Sequence, residues 1–98
     1  MEIHSVADLA AYAFWDTDIT KLDMERDKNI IIPRIFERAK LDDILNTIVF
    51  YGIDVCSNLL TDNKYLPEHA VYAGHLLLSV PLEKFKAYAA RRNNTDTP

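Results

Sequence analysis

Apolar side chains recur at helical spacing along most of the chain, and the clearest run lies near its middle. The run has the i, i+3, i+4, i+7 spacing of a helix with one apolar face, and consists of Leu41, Ile44, Leu45, Ile48 and Val49. Gly52 stands where a left-handed residue commonly ends such a helix. Only Asn29 to Ile32 has a strand-like composition, and one short strand has no partner to pair with. The sequence therefore predicts an all-α fold.

Similar stripes predict further short helices, separated by proline, glycine or polar residues. They run from Val6 to Ala13, from near Ile30 onward, from Val55 to Leu60, from Pro67 to Val80 and from Pro81 to Ala89. Pro33 lacks an N–H, so the second helix should start near Ile30 or kink at the proline. Gly74 lowers helix propensity, which indicates that a neighbouring helix packs closely there. We expect a single compact domain of five or six short helices over residues 1–91 and a disordered polar tail over residues 92–98.

Length and composition are those of an ordinary globular domain. The 98 residues are 49% hydrophobic and 27% charged, which suits one modest core. No apolar run approaches the ~20 residues that cross a bilayer, and no secretory signal follows Met1. We therefore expect a cytoplasmic protein without a membrane partner. The single cysteine, Cys56, is expected to be a core residue rather than a reactive thiol.

The charge of the chain disfavours nucleic acid as a partner. The net charge is −4 and the basic residues are dispersed, whereas binding to phosphates needs clustered Lys and Arg. Residues 41–60 could form a helix-turn-helix in which Asp54, Ser57 and Asn58 face DNA. An aspartate is a poor start for a recognition helix, so an ordinary helical hairpin is favoured and a DNA-binding autoregulator is kept as the alternative.

The segment Phe14-Trp15-Asp16 joins the first two helical patterns and holds the only tryptophan. Five carboxylates lie within residues 16–27, where short acids can cap helices. This combination predicts that Trp15 is largely buried and joins the first helix to the second.

No set of residues predicts catalysis, a bound metal or a cofactor. Asp16-Thr17-Asp18-Ile19-Thr20 has the Asp-x-Asp-x-Thr form of haloacid-dehalogenase-like phosphatases, but that chemistry needs a parallel sheet. Helix capping is the favoured interpretation. His69 and His75 are six residues apart, so they cannot chelate one metal as an i, i+4 pair would. We expect a protein that is not an enzyme.

The chain resembles a family of short bacterial proteins, common in Bacteroidetes-type genomes, that is classed as a domain of unknown function. The resemblance lies in Phe14-Trp15-Asp16, Asp18, Leu22-Asp23, Asp27-Lys28, Ile31-Ile32-Pro33-Arg34 and Tyr51-Gly52. That family typically has Gly near Lys40 and Ser before Pro67, where this chain has Ala39-Lys40 and Leu66. Members are often encoded beside AbiEii-like nucleotidyltransferase toxins. The resemblance implies an antitoxin-like partner, and it supplies no catalytic residue.

These observations predict a non-enzymatic module that binds another protein, such as a nucleotidyltransferase-like toxin, through its surface. An acidic surface suits a basic partner, and tyrosine and arginine are common in protein interfaces. The expected contact residues are Asp16, Asp18, Asp23, Asp27, Arg34, Tyr51 and Tyr65. A homodimer is left open.

Overall fold

The computed structural model describes the backbone of residues 6–95 and the side chains of residues 8–90. Within this part, the chain is helical and has no strand, which confirms the all-α prediction. The helices are α1 (Val6–Ala10), α2 (Lys28–Arg38), α3 (Leu41–Tyr51), α4 (Ile53–Asp62), α5 (Glu68–Leu78) and α6 (Lys86–Thr95). Short 3₁₀ helices cover Ala11–Phe14, Ile19–Lys21 and Leu82–Lys84.

Helix α2 is the centre of the core. It packs against α3, α4, α5 and the first 3₁₀ helix. Ile31, Ile32 and Ile35 have no exposed surface, and burying each such side chain contributes roughly 1.5–3 kcal/mol. Phe14 from the first 3₁₀ helix and Phe85 from the far end of the chain are also buried. The core therefore contains side chains from both ends of the described chain.

Pro33 lies inside α2 and does not mark its start. The helix begins at Lys28, two residues before the expected start near Ile30. A proline here removes the hydrogen bond that the Asn29 carbonyl would accept. Asn29 is exposed, so water can satisfy that carbonyl. The buried Pro33 ring contributes apolar surface to the core instead.

Trp15 is on the surface, and the prediction that it is buried is wrong. Its exposed fraction is 78%, whereas that of Phe14 is 1%. Phe14 is the last residue of the 3₁₀ helix Ala11–Phe14, and it follows the buried Ala13. With three residues per turn, three consecutive side chains cannot share one face. Phe14 therefore points into the core and Trp15 turns outward. We use "joint" for the segment Phe14-Trp15-Asp16, which lies between the first and second helices.

Helix α3 has the predicted bounds but only part of the predicted buried face. Ile44 is buried and Ile48 is half-buried, while Leu41, Leu45 and Val49 are 57%, 41% and 83% exposed. The core side of the helix is rotated toward Thr47, whose buried hydroxyl donates to the Asp43 carbonyl. Several apolar residues of α3 consequently face solvent.

Glycine is suited to positions 52 and 74 for different structural reasons. Gly52 ends α3 with φ +94° and ψ 153°, so φ is positive as expected but the backbone is extended rather than left-handed helical. Gly74 is buried in α5, and a Cβ there would lie 3.1 Å from the Phe85 ring and 3.3 Å from Leu60. The predicted close packing at Gly74 is confirmed.

The ends of the other helices differ from the predictions by a few residues. Helix α1 gives way to the first 3₁₀ helix after Ala10, and α5 ends at Leu78, followed by a left-handed Ser79 at its C-cap. Helix α6 continues past the predicted domain end at residue 91 to Thr95. The remainder of the expected tail, residues 96–98, lies outside the described residues. No single described helix could span a membrane by length and hydropathy; α3 and α4 reach that threshold only together, with a 110° bend between them.

Candidate partner-binding surface

Asp16 links the joint to α2 through two arginines. Its Oδ1 accepts hydrogen bonds from Arg34 Nη1 at 2.6 Å and from Arg38 Nη1 at 3.4 Å. Arg34 also donates to Thr17 and lies over the Phe14 ring. Although desolvation raises the pKa of Asp16, its backbone N–H and the two arginines lower that pKa overall. The acid that resembled a phosphatase nucleophile is therefore held as the carboxylate of an ion-pair network.

Trp15 projects from this network and contacts one of its arginines. The Arg38 guanidinium carbon lies 5.9 Å from the centroid of the Trp15 ring, within the range of a cation–π contact. Arg38 is in turn held by Asp16. The indole is thus exposed but restrained, which suits a surface that contacts another molecule.

The other predicted acids stabilise turns in residues 17–27, between the joint and α2. We use "acidic connection" for these residues. The Asp18 carboxylate accepts from the Thr20 N–H at 3.0 Å and caps the second 3₁₀ helix. Asp23 accepts from the N–H groups of Arg26 and Glu25, which lower its pKa. Asp27 accepts from the Arg26 side chain and the Asp23 N–H, and both lower its pKa. These hydrogen bonds fix the backbone conformation of the acidic connection.

The two predicted tyrosines have different surroundings. The Tyr51 hydroxyl donates to the Met24 carbonyl at 2.7 Å, and burial raises the pKa of Tyr51 to about 12. Tyr51 therefore fastens the acidic connection to the end of α3. Tyr65 is 82% exposed, next to Lys64. Among the described side chains, no hydrogen bond or ion pair joins Tyr65 to the other predicted contact residues.

The structure adds a surface that the sequence interpretation missed. We use "α3 ridge" for the exposed side chains of Leu41, Leu45, Val49 and, at the first residue of α4, Ile53. The sequence does contain a signal for this surface. At about 100° per residue, the apolar residues of α3 span an arc around the helix whose edges, Ile44 and Val49, are about 140° apart. An apolar arc that wide exceeds what one buried face needs.

The described residues hold no group of three or more His, Cys, Asp or Glu that could bind a metal ion. His69 donates from Nε2 to the Glu37 carbonyl, and His75 donates from Nδ1 to the Val80 carbonyl. Each imidazole thus links two parts of the fold. Cys56 has no exposed surface, and burial raises the pKa of its thiol to about 11, in keeping with the predicted core role.

Residues 9–60 match a family of unknown function (DUF6922). The match covers more than half of the chain. The chain belongs to this family. The matched range contains the joint, the acidic connection and the α3 ridge, whereas α5, α6 and Tyr65 lie outside it. No curated protein and no solved structure matches the chain.

Proposed function

We propose that this chain is a non-enzymatic protein-protein interaction module, an antitoxin-like cytoplasmic partner that binds a toxin encoded by a neighbouring bacterial gene. The observation that carries the proposal is Trp15, 78% exposed and restrained by Arg38. Tryptophan, tyrosine and arginine are enriched among the residues that contribute most to the affinity of protein interfaces. The toxin partner, of the nucleotidyltransferase kind, is suggested by the resemblance of the Phe-Trp-Asp segment to proteins encoded beside such toxins.

The joint is well suited to contact a protein because its shape is fixed before binding. Arg34 and Arg38 share the Asp16 carboxylate, so neither arginine has to be ordered on association. Ordering long side chains costs roughly 0.5–1.5 kcal/mol each at an interface. Trp15 can therefore be covered by a partner at a small entropic cost.

Co-expression with the product of the adjacent gene tests the proposal. We expect co-purification of the two proteins, and a dissociation constant for Trp15→Ala that is raised about 30-fold, corresponding to a contact of about 2 kcal/mol. Leu76→Ala is the control, because Leu76 is a large apolar side chain that is 73% exposed and lies outside the family match. Absence of binding by the wild-type chain would refute the proposal.

A DNA-binding autoregulator is the second candidate, favoured by the 110° bend between α3 and α4. Helix-turn-helix motifs have a similar angle. The second helix, however, carries Asp54 and Asp62 and no basic residue, so it would meet phosphates with the wrong charge. Tight, salt-dependent binding to its own promoter, lost in Asn58→Ala, would reverse the ranking.

A further inference from the structure

The α3 ridge is a line of apolar side chains on one side of a helix. Leu41, Leu45 and Val49 are spaced i, i+4, i+8, so their side chains follow one another along α3. Val49 is 83% exposed, and Ile53, at the bend into α4, is 56% exposed. Single exposed apolar residues are common on protein surfaces, whereas a continuous row of them marks an interaction site.

The charged residues of α3 and α4 all have one sign. Residues 41–63 contain four aspartates and no lysine or arginine. Asp43 accepts from the Tyr12 hydroxyl, and Asp62 is paired with Lys86. Asp42 and Asp54 are exposed, and neither has an ion pair among the described residues. The ridge is therefore accompanied by two carboxylates that are available to an incoming cation.

This charge pattern distinguishes between possible occupants. In a homodimer formed through the ridge, residues 41–63 of each copy would supply only carboxylates, and like charges at an interface are unfavourable. The acidic rim would likewise be repelled by nucleic-acid phosphates and anionic lipid. A basic protein surface fits the ridge better than any of these.

The ridge begins close to the site of the proposed function. Arg38, which contacts Trp15, precedes Leu41 by three residues, so their Cα atoms are at most about 11 Å apart. One partner can therefore cover the Trp15–Arg38 contact and the start of α3 together, which enlarges the contact beyond the ridge.

We propose that the α3 ridge, with Asp42 and Asp54, is the docking surface for a protein that presents an apolar groove bordered by lysine or arginine. The inference rests on the proposed function and specifies which surface the toxin partner covers and what chemistry it offers. The apolar side chains supply the buried contact, and the two carboxylates select a basic rim.

The test measures binding of full-length variants to the product of the adjacent gene, by calorimetry at two salt concentrations. Leu45→Ser/Val49→Ser should raise the dissociation constant about 30-fold or more. The control Tyr72→Ser/Leu76→Ser changes an equally spaced, similarly exposed pair on α5, and should stay within about threefold of wild type. Thermal denaturation of each variant checks that the fold is retained.

A second pair of variants tests the charge. Asp42→Asn/Asp54→Asn should weaken binding about fivefold or more at low salt and reduce its salt dependence. The matched control is Glu68→Gln/Glu83→Gln, which neutralises two exposed acids that also lie in first helical turns. This control should bind as wild type does.

The outcomes separate the inference from the proposed function. Unchanged binding by the Leu45/Val49 variant, with a wild-type chain that does bind, overturns the inference and leaves the proposed function standing. A wild-type chain that does not bind the gene product overturns both. Dimerisation of the chain alone, or binding to promoter DNA or phosphatidylserine vesicles, assigns the ridge to another occupant if the Leu45/Val49 substitutions abolish it, and also overturns the inference.

Discussion

Replacing Gly74 by alanine should destabilise the protein even though it removes a glycine from a helix. The added Cβ would lie 3.1 Å from both Cε1 and Cζ of Phe85 and 3.3 Å from Cδ1 of Leu60. Favourable carbon–carbon contacts are about 3.5–4.0 Å. Phe85 and Leu60 have no exposed surface, so neither can move into solvent to make room.

Two effects of this substitution oppose each other. Alanine gains about 1 kcal/mol of helix propensity over glycine, and an extra methyl in a packed core costs about 1–3 kcal/mol. Because both neighbours are enclosed, we expect the steric cost to exceed the gain. A net loss of about 1 kcal/mol would lower the melting temperature of a domain this size by about 4–8 °C.

A double-mutant cycle with Phe85→Leu, followed by urea denaturation, isolates the contact. Shortening Phe85 makes room for the new methyl, so the double variant should be more stable than the sum of the single changes predicts, by about 0.5 kcal/mol or more. The control is Gly52→Ala, where a Cβ meets nothing within 4 Å but φ is +94°. Its loss of about 1–3 kcal/mol comes from backbone strain and should not depend on residue 85. A Gly74→Ala variant more stable than wild type, or a coupling energy of zero, would refute the reasoning.

Three further outcomes follow from the side chains. Trp15 should emit at the wavelength of a water-exposed indole and be quenched by acrylamide, and Trp15→Ala should change the free energy of unfolding by less than about 1 kcal/mol; a blue-shifted emission would contradict this. The Cys56 thiol should not react with Ellman's reagent at pH 8 until the protein unfolds, since burial raises its pKa to about 11; rapid reaction of the native protein would be the opposing result. Asp23 and Asp27 have folded-state pKa values lowered below 3.8, so their stabilisation is present above about pH 4 and is lost as pH falls through those values. Asp27→Asn should therefore flatten the acid limb of a stability-against-pH curve, and an unchanged limb would disprove the role of Asp27.

The helices were predictable because the signals that form them are local. Periodic apolar residues and the polar breaks after Leu60 give helix α4 nearly its observed bounds, and the contact at Gly74 followed from a glycine where propensity disfavours one. Capping by Asp18 was predictable for the same reason, since its partner Thr20 is two residues away.

Which apolar side chain reaches the core was not predictable, because it depends on neighbours that are distant in the sequence. Phe14 and Trp15 are adjacent aromatic residues, and a pattern of apolar positions does not distinguish them. Only Phe14 is buried in the structure. The ion pair between Asp16 and Arg34 spans eighteen residues, so it appears only once the joint has packed on α2. The exposed part of α3 depends likewise on where α1, α2 and α4 leave that helix uncovered.

The acidic residues of this protein divide into two groups with different consequences. Those between the first two helices, such as Asp23 and Asp27, accept hydrogen bonds from backbone N–H groups and from Arg26. Their charge is already compensated, and removing it should change stability. Asp42 and Asp54 lie beside exposed apolar side chains and have no ion pair among the described residues. Charge that is uncompensated in the isolated domain can be compensated by a partner at little cost to the fold. The affinity of the chain for a basic partner should therefore follow the charge of α3 and α4, while the acids between the first two helices should mainly affect the stability of the fold.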